Sequence, residues 1–90
     1  MKLDIVLVDN TYNSDEAKYL INNLIRDKVN HLQKIILSNK EKDKDCDVSF
    51  YQQRIKELSV DGDIINSHFL KYKDASFEIK TIIDIDIKNE

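Results

Sequence analysis

The chain has 90 residues, of which 41% are hydrophobic and 34% charged, with a net charge of −3 and a sequence pI near 5.3. This is the composition of one small folded domain rather than a disordered segment, and a chain this short buries only ~60–65% of its unfolded surface, so its core is marginal without a partner. Interspersed acidic and basic residues leave no basic face for a nucleic-acid backbone, and no apolar run approaches the ~20 residues of a membrane span, so neither nucleic acid nor membrane is expected.

Lys2 to Asp9 is apolar and rich in β-branched residues, which predicts a strand over 2–9. Simple alternation sets Leu3, Ile5 and Leu7 on one face and Val6 and Val8 on the other, as in a strand covered on both sides. Asp4 interrupts the apolar run too early for a signal peptide, so the chain reads as cytoplasmic. Asn10-Thr11-Tyr12-Asn13 reads as a turn, and Ser14, followed by Asp15 and Glu16, as the N-cap of a helix.

That helix is predicted over 14–38, on the helical spacing of Ala17, Leu20, Ile21, Leu24, Ile25, Leu32, Ile35 and Ile36. Its stripe is interrupted where Lys28 and His31 fall on the same face. A polar tip follows over 39–47, carrying the single cysteine, Cys46, which reads as an incidental thiol.

The second helix, predicted over 48–73, is the strongest signal in the chain. Val48, Tyr51, Ile55, Leu58, Gly62, Ile65, Phe69 and Tyr72 recur at alternating steps of three and four, a narrow stripe that requires another helix against it. Ser49 and Gln52 have the spacing of a capping box. Asp61-Gly62-Asp63 is a turn signal inside this stripe, and because the stripe keeps its phase across it, one continuous helix is expected over a kinked pair. Phe77, Ile79, Thr81, Ile83, Ile85 and Ile87 then alternate with Glu78, Lys80, Asp84, Asp86 and Lys88, with Ile82 the lone apolar residue on the polar side, predicting a half-buried strand over 77–88.

The fold expected is therefore α+β, in the order β-α-α-β: a long antiparallel helical hairpin with a two-stranded antiparallel ribbon built from the chain ends. With the tip centred near residue 42, His31 lies across from Ile55, Lys28 across from Leu58, and Leu24 across from Gly62. On that register Gly62→Ala would overpack the seam. It also gathers Lys28, His31, Tyr51 and Arg54, with Asp27 nearby, into the one polar cluster on an apolar seam, the candidate binding site.

Asp43, Asp45 and Asp47 have the spacing that opens an EF-hand loop, but Val48 stands where the loop's glycine belongs and Arg54 where its glutamate belongs. Asp84 and Asp86 share a strand face that reads as solvated charge discouraging edge pairing. No metal, cofactor or catalytic constellation is recognisable.

The run from Lys28 to His31, with Arg54-Ile-Lys-Glu-Leu58 after the charged tip, resembles a group of short uncharacterised bacterial proteins of strand–helical hairpin–strand order. The resemblance implies the fold and carries no activity. The functional expectation is a non-enzymatic protein-interaction or regulatory module acting through its hairpin, self-associating as a homodimer or binding another protein. The alternative is a small-molecule or nucleotide-binding regulator using the cluster at His31.

Overall fold

Asn13 ends one element and starts the next. In the computed structural model, which describes residues 2–88, β1 (Lys2–Asn13) runs without a linker into α1 (Ser14–Lys42), and α2 (Ser49–Lys71) and β2 (Ser76–Asp86) complete the chain. The class is α+β, with one two-stranded antiparallel sheet and a helical pair.

β1 is longer than the strand expected over 2–9. Asn10, Thr11, Tyr12 and Asn13 pair with Ile79, Glu78, Phe77 and Ser76 instead of turning. A partner strand satisfies their backbone groups, and that outweighs the turn propensity of the two asparagines. Asn13 has the extended backbone of a strand end (φ −73°, ψ 172°). Its side chain accepts the Glu16 amide at 2.9 Å, and its own amide donates to Glu16 Oε1 at 3.3 Å. This capping box makes Asn13 the N-cap, one residue ahead of the expected Ser14.

Ser14 is thereby free to bridge the two helices. Its buried hydroxyl donates to the Phe69 carbonyl at 3.2 Å. That carbonyl belongs to the last turn of α2, where the helix itself offers no donor.

The strands pair in one register from Lys2↔Asp86 to Val6↔Ile82 and in another from Val8↔Thr81 to Asn13↔Ser76, so Leu7 is an extra residue in β1. This bulge explains why β1 shows no clean alternation in sequence. Leu3 and Ile5 share a face with Ile85 and Ile83, and beyond the bulge Val8 and Tyr12 continue that face opposite Thr81 and Phe77. Val8 therefore lies on the Leu3–Ile5 face, not opposite it. The other face carries Lys2, Asp4 and Asp9 beside Asp86, Asp84 and Lys80. Neither face of the outer ribbon is covered, contrary to the two-sided burial expected for β1.

α1 continues to Lys42, four residues past its expected end, because Asn39–Lys42 contains no helix breaker and Lys40 and Lys42 suit a helix C-terminus. The tip is shortened to 43–48. α2 has Val48 as its N-cap with no side-chain cap bond, since Ser49 donates to Asp47 rather than forming a box with Gln52. The helix then runs unbroken through Asp61-Gly62-Asp63.

The α2 stripe is the core. Val48, Leu58 and Phe69 are buried, Tyr51, Ile55, Gly62 and Ile65 half-buried, and only Tyr72, at the C-cap, is exposed. Ala17 and Leu32 are the buried hydrophobics of α1. Asn22 meets Asn66 across the seam, and Gly62 lies nearest Ile25. The longer α1 thus moves the centre of the hairpin to about residue 44.

Away from its base the ribbon leaves the hairpin. The Cα radius of gyration is 16.6 Å, against about 12 Å for a compact chain of this length. The accessible surface is 7418 Å², against about 5,500 Å² for a compact protein of 10.6 kDa.

A Cβ added at Gly62 would meet Ile25 Cδ1 at 3.8 Å, an ordinary van der Waals contact, and the backbone there is helical. The overpacking expected from a Leu24 contact does not arise. Gly62→Ala is predicted to stabilise the protein by about 0.5–1 kcal/mol, through helix propensity, and to raise the melting temperature by several degrees. An unchanged or lower melting temperature in calorimetry would contradict this packing.

Candidate functional site

Of the four residues expected to cluster on the seam, Lys28 and His31 are exposed on α1, because Val29 and Leu32 take the inward positions of that turn. Arg54 is exposed and spends its guanidinium on Glu57, one turn along its own helix, at 3.1 Å. Tyr51 is half-buried and packs edge-on against Phe50, with centroids 5.5 Å apart. Among the described residues no hydrogen bond, ion pair or ring contact joins these four to one another. The shift in register and the exposure of the two α1 side chains account for the difference.

The polar contact of the seam lies elsewhere. Asn22 Nδ2 donates to Asn66 Oδ1 at 2.9 Å and Asn66 Nδ2 returns a bond to Asn22 Oδ1 at 3.0 Å, both part-buried. Asn22 also donates to the Lys18 carbonyl. A paired amide bridge satisfies both side chains only in one register, so it fixes how α1 and α2 slide. Both residues sit beside apolar stripe positions, Ile21 and Ile65, and that adjacency was the only signal in the sequence.

The aspartates of the tip hold the backbone. Asp43 accepts the Asp45 amide, and Asp47 accepts both the Ser49 amide (2.9 Å) and the Ser49 hydroxyl (2.6 Å). The Ser49 hydroxyl, then its amide, hold the Asp47 carboxyl below its ordinary pKa. Cys46 is a free thiol, half-buried at the same tip. On the ribbon, Asp84 pairs with Lys2 at 3.3 Å, both side chains about half exposed. Among the described residues no three His, Cys, Asp or Glu side chains stand close enough to hold a metal ion, and no helix is long and apolar enough to cross a membrane.

A concave surface lined mostly by apolar side chains lies at the elbow, where ribbon and hairpin diverge. Phe69, from the core stripe, meets Phe77 of β2 nearly perpendicularly, with centroids 5.0 Å apart. His68 lies 5.0 Å from the Tyr72 ring and 6.0 Å from Phe77. The edge-to-face pair of Phe69 and Phe77 adds about 0.5–1.5 kcal/mol beyond its buried area. His68, Phe69 and Phe77 line a groove of about 330 Å³ together with the wall residues Ile21, Ile64 and Ile65 on the helices and Ile79 on the ribbon. Glu78 also lines it. Nothing in the spacing of the sequence pointed to His68 as part of an aromatic corner, because its partner Phe77 lies on another element.

This arrangement sets His68 and Glu78 among apolar side chains. It offers an apolar groove continuous with an apolar strand face. No protein-family model matches the chain, and no curated protein or solved structure shows significant similarity to it.

Two outcomes follow for the polar contacts. Asn22→Ala strands the Asn66 amide in a part-buried seam and is expected to cost about 1–2 kcal/mol in denaturant unfolding; no loss would mean that water replaces the bridge freely. Because the folded pKa of Asp47 is depressed, its stabilising contribution is present above the unfolded value of ~3.9 and disappears as pH falls through the folded value. Ser49→Ala should return the Asp47 titration toward its ordinary position, as read by carboxyl-carbon NMR.

Proposed function

We propose that the chain is a non-enzymatic interaction module that works as a homodimer through the apolar face of its ribbon and the elbow groove. One observation carries this reading. The cross-strand pairs Leu3–Ile85 and Ile5–Ile83 lie side by side on one face, at 52%, 49%, 46% and 38% exposure. Scattered apolar residues on a surface need no explanation, but a continuous apolar face does.

A two-stranded ribbon is not stable as an isolated element, so its apolar face requires cover along its length. The hairpin supplies cover only near the base, at Phe77 and Ile79. Relative to a compact monomer the chain exposes about 1,900 Å² of additional surface. A standard protein interface removes about 800 Å² from each partner, so the excess is enough for a two-fold interface. The hairpin stripe itself is consumed within the chain by α1–α2 packing; Phe50 and Leu70 stay exposed outside that stripe, and the proposed interface takes the apolar side chains that lie together on the ribbon and at the elbow.

Light scattering on the purified chain is expected to give a mass twice the 10.6 kDa of one copy at micromolar concentration. Ile83→Lys removes a buried isoleucine from each half of a two-fold interface. It should weaken association by at least about 100-fold, from ~1.5 kcal/mol per copy, while leaving the helical circular dichroism intact. A monomer mass for the unmodified chain at high micromolar concentration would refute the reading.

A further inference from the structure

We propose that in the homodimer each ribbon packs its apolar face against the partner's ribbon, antiparallel, so that the tip of one ribbon fills the elbow groove of the other. This rests on the self-association reading above and specifies its interface. Three features of the fold determine the arrangement.

The first is the segregation of the ribbon. From Phe77 outward one face bears Ile79, Ile83 and Ile85 with Leu3, Ile5 and Val8, interrupted only by Thr81 and Asn10, while the opposite face holds Asp84, Asp86 and Lys80 and a single apolar pair, Val6–Ile82. Association through strand edges would make a four-stranded sheet but leave this apolar face as open as before. The β1 edge is also broken by the bulge at Leu7, a feature that discourages edge pairing. Face-to-face packing removes the exposed area; edge pairing does not.

The second is direction. Ile21, Ile64 and Ile65 line the same groove as Phe77 and Ile79, so the hairpin rises on the apolar side of its own ribbon. A partner ribbon laid parallel would drive its hairpin into this one. Laid antiparallel, it enters from the open end, and each hairpin stands beyond the tip of the other ribbon. The contact is then isologous and closes after two copies.

The third is fit. Both ribbons are one length, about 36–40 Å for strands of 12 and 11 residues, so a tip laid antiparallel reaches the partner's base. The tip presents Leu3 and Ile85, and the base presents a groove of about 330 Å³ whose wall residue Ile64 is 62% exposed in the single chain. Apolar tip and apolar socket match in character and in position.

The test uses two single-cysteine chains, Ile64→Cys and Ile85→Cys, each in a Cys46→Ser background. Both positions are exposed in the single chain, so neither substitution opens a cavity in the core. The chains are mixed, equilibrated and oxidised. The mixture is expected to yield an inter-chain disulfide between positions 64 and 85, and each chain alone is expected to yield none. A dimer by light scattering that forms no mixed disulfide, or in which Ile85→Cys chains link to themselves, overturns the tip-in-elbow geometry while self-association stands. A monomer by light scattering overturns both.

Discussion

The junction at the elbow sets everything else in the molecule. The Ser14 hydroxyl holds the Phe69 carbonyl, and the Phe69 ring holds Phe77. Through these contacts the first turn of α1, the last turn of α2 and the first residues of β2 are fixed to one another. Because β1 passes into α1 with no intervening residue, fixing that turn also fixes the direction in which β1 leaves. The two strands thus emerge side by side and pair along 11 positions, although only their base rests on the hairpin. A serine at the N-cap could not do this. Asn13 takes the capping role, and its neighbour is left with a hydroxyl to spend on the other helix.

The second constraint is surface. A core in which, among the described residues, only Ala17, Leu32, Val48, Leu58 and Phe69 are buried hydrophobics offers little against the conformational entropy of 90 residues. Most of the apolar side chains of the outer ribbon remain about half exposed in the folded single chain. The sequence nevertheless keeps Leu3, Ile5, Ile83 and Ile85 in cross-strand register on one face of the ribbon.

The class and order of the elements were legible because each signal was local. The 3–4 stripe from Val48 to Phe69 is helical on its own terms, and the alternation from Phe77 to Ile85 is a strand on its own terms. What escaped depended on residues distant in the chain. The bulge at Leu7 shows only once β1 is laid against β2, and Asn10–Asn13 turn or extend according to whether Ile79–Ser76 are there to pair. The seam register was off by about two residues because α1's end was placed at Ser38, where charge begins, rather than at Lys42, where the helix stops. That small error moved the predicted polar cluster onto Lys28 and His31 and concealed Asn22 and Asn66. Aromatic corners such as His68–Phe77 join different elements and leave no periodic trace.

The pairing of Lys2 with Asp86 at the outer end of the ribbon has a mechanical consequence. Tension applied between these two residues acts on one cross-strand pair at a time, peeling the ribbon from its tip toward Asn13 and Ser76 rather than shearing all the pairs together. Resistance to such a load begins low, falters at the Leu7 bulge, and reaches its full value only at the aromatic corner, where the last pairs are anchored to the helices. The ribbon yields to traction in stages, and the hairpin behind it is shielded until the last one.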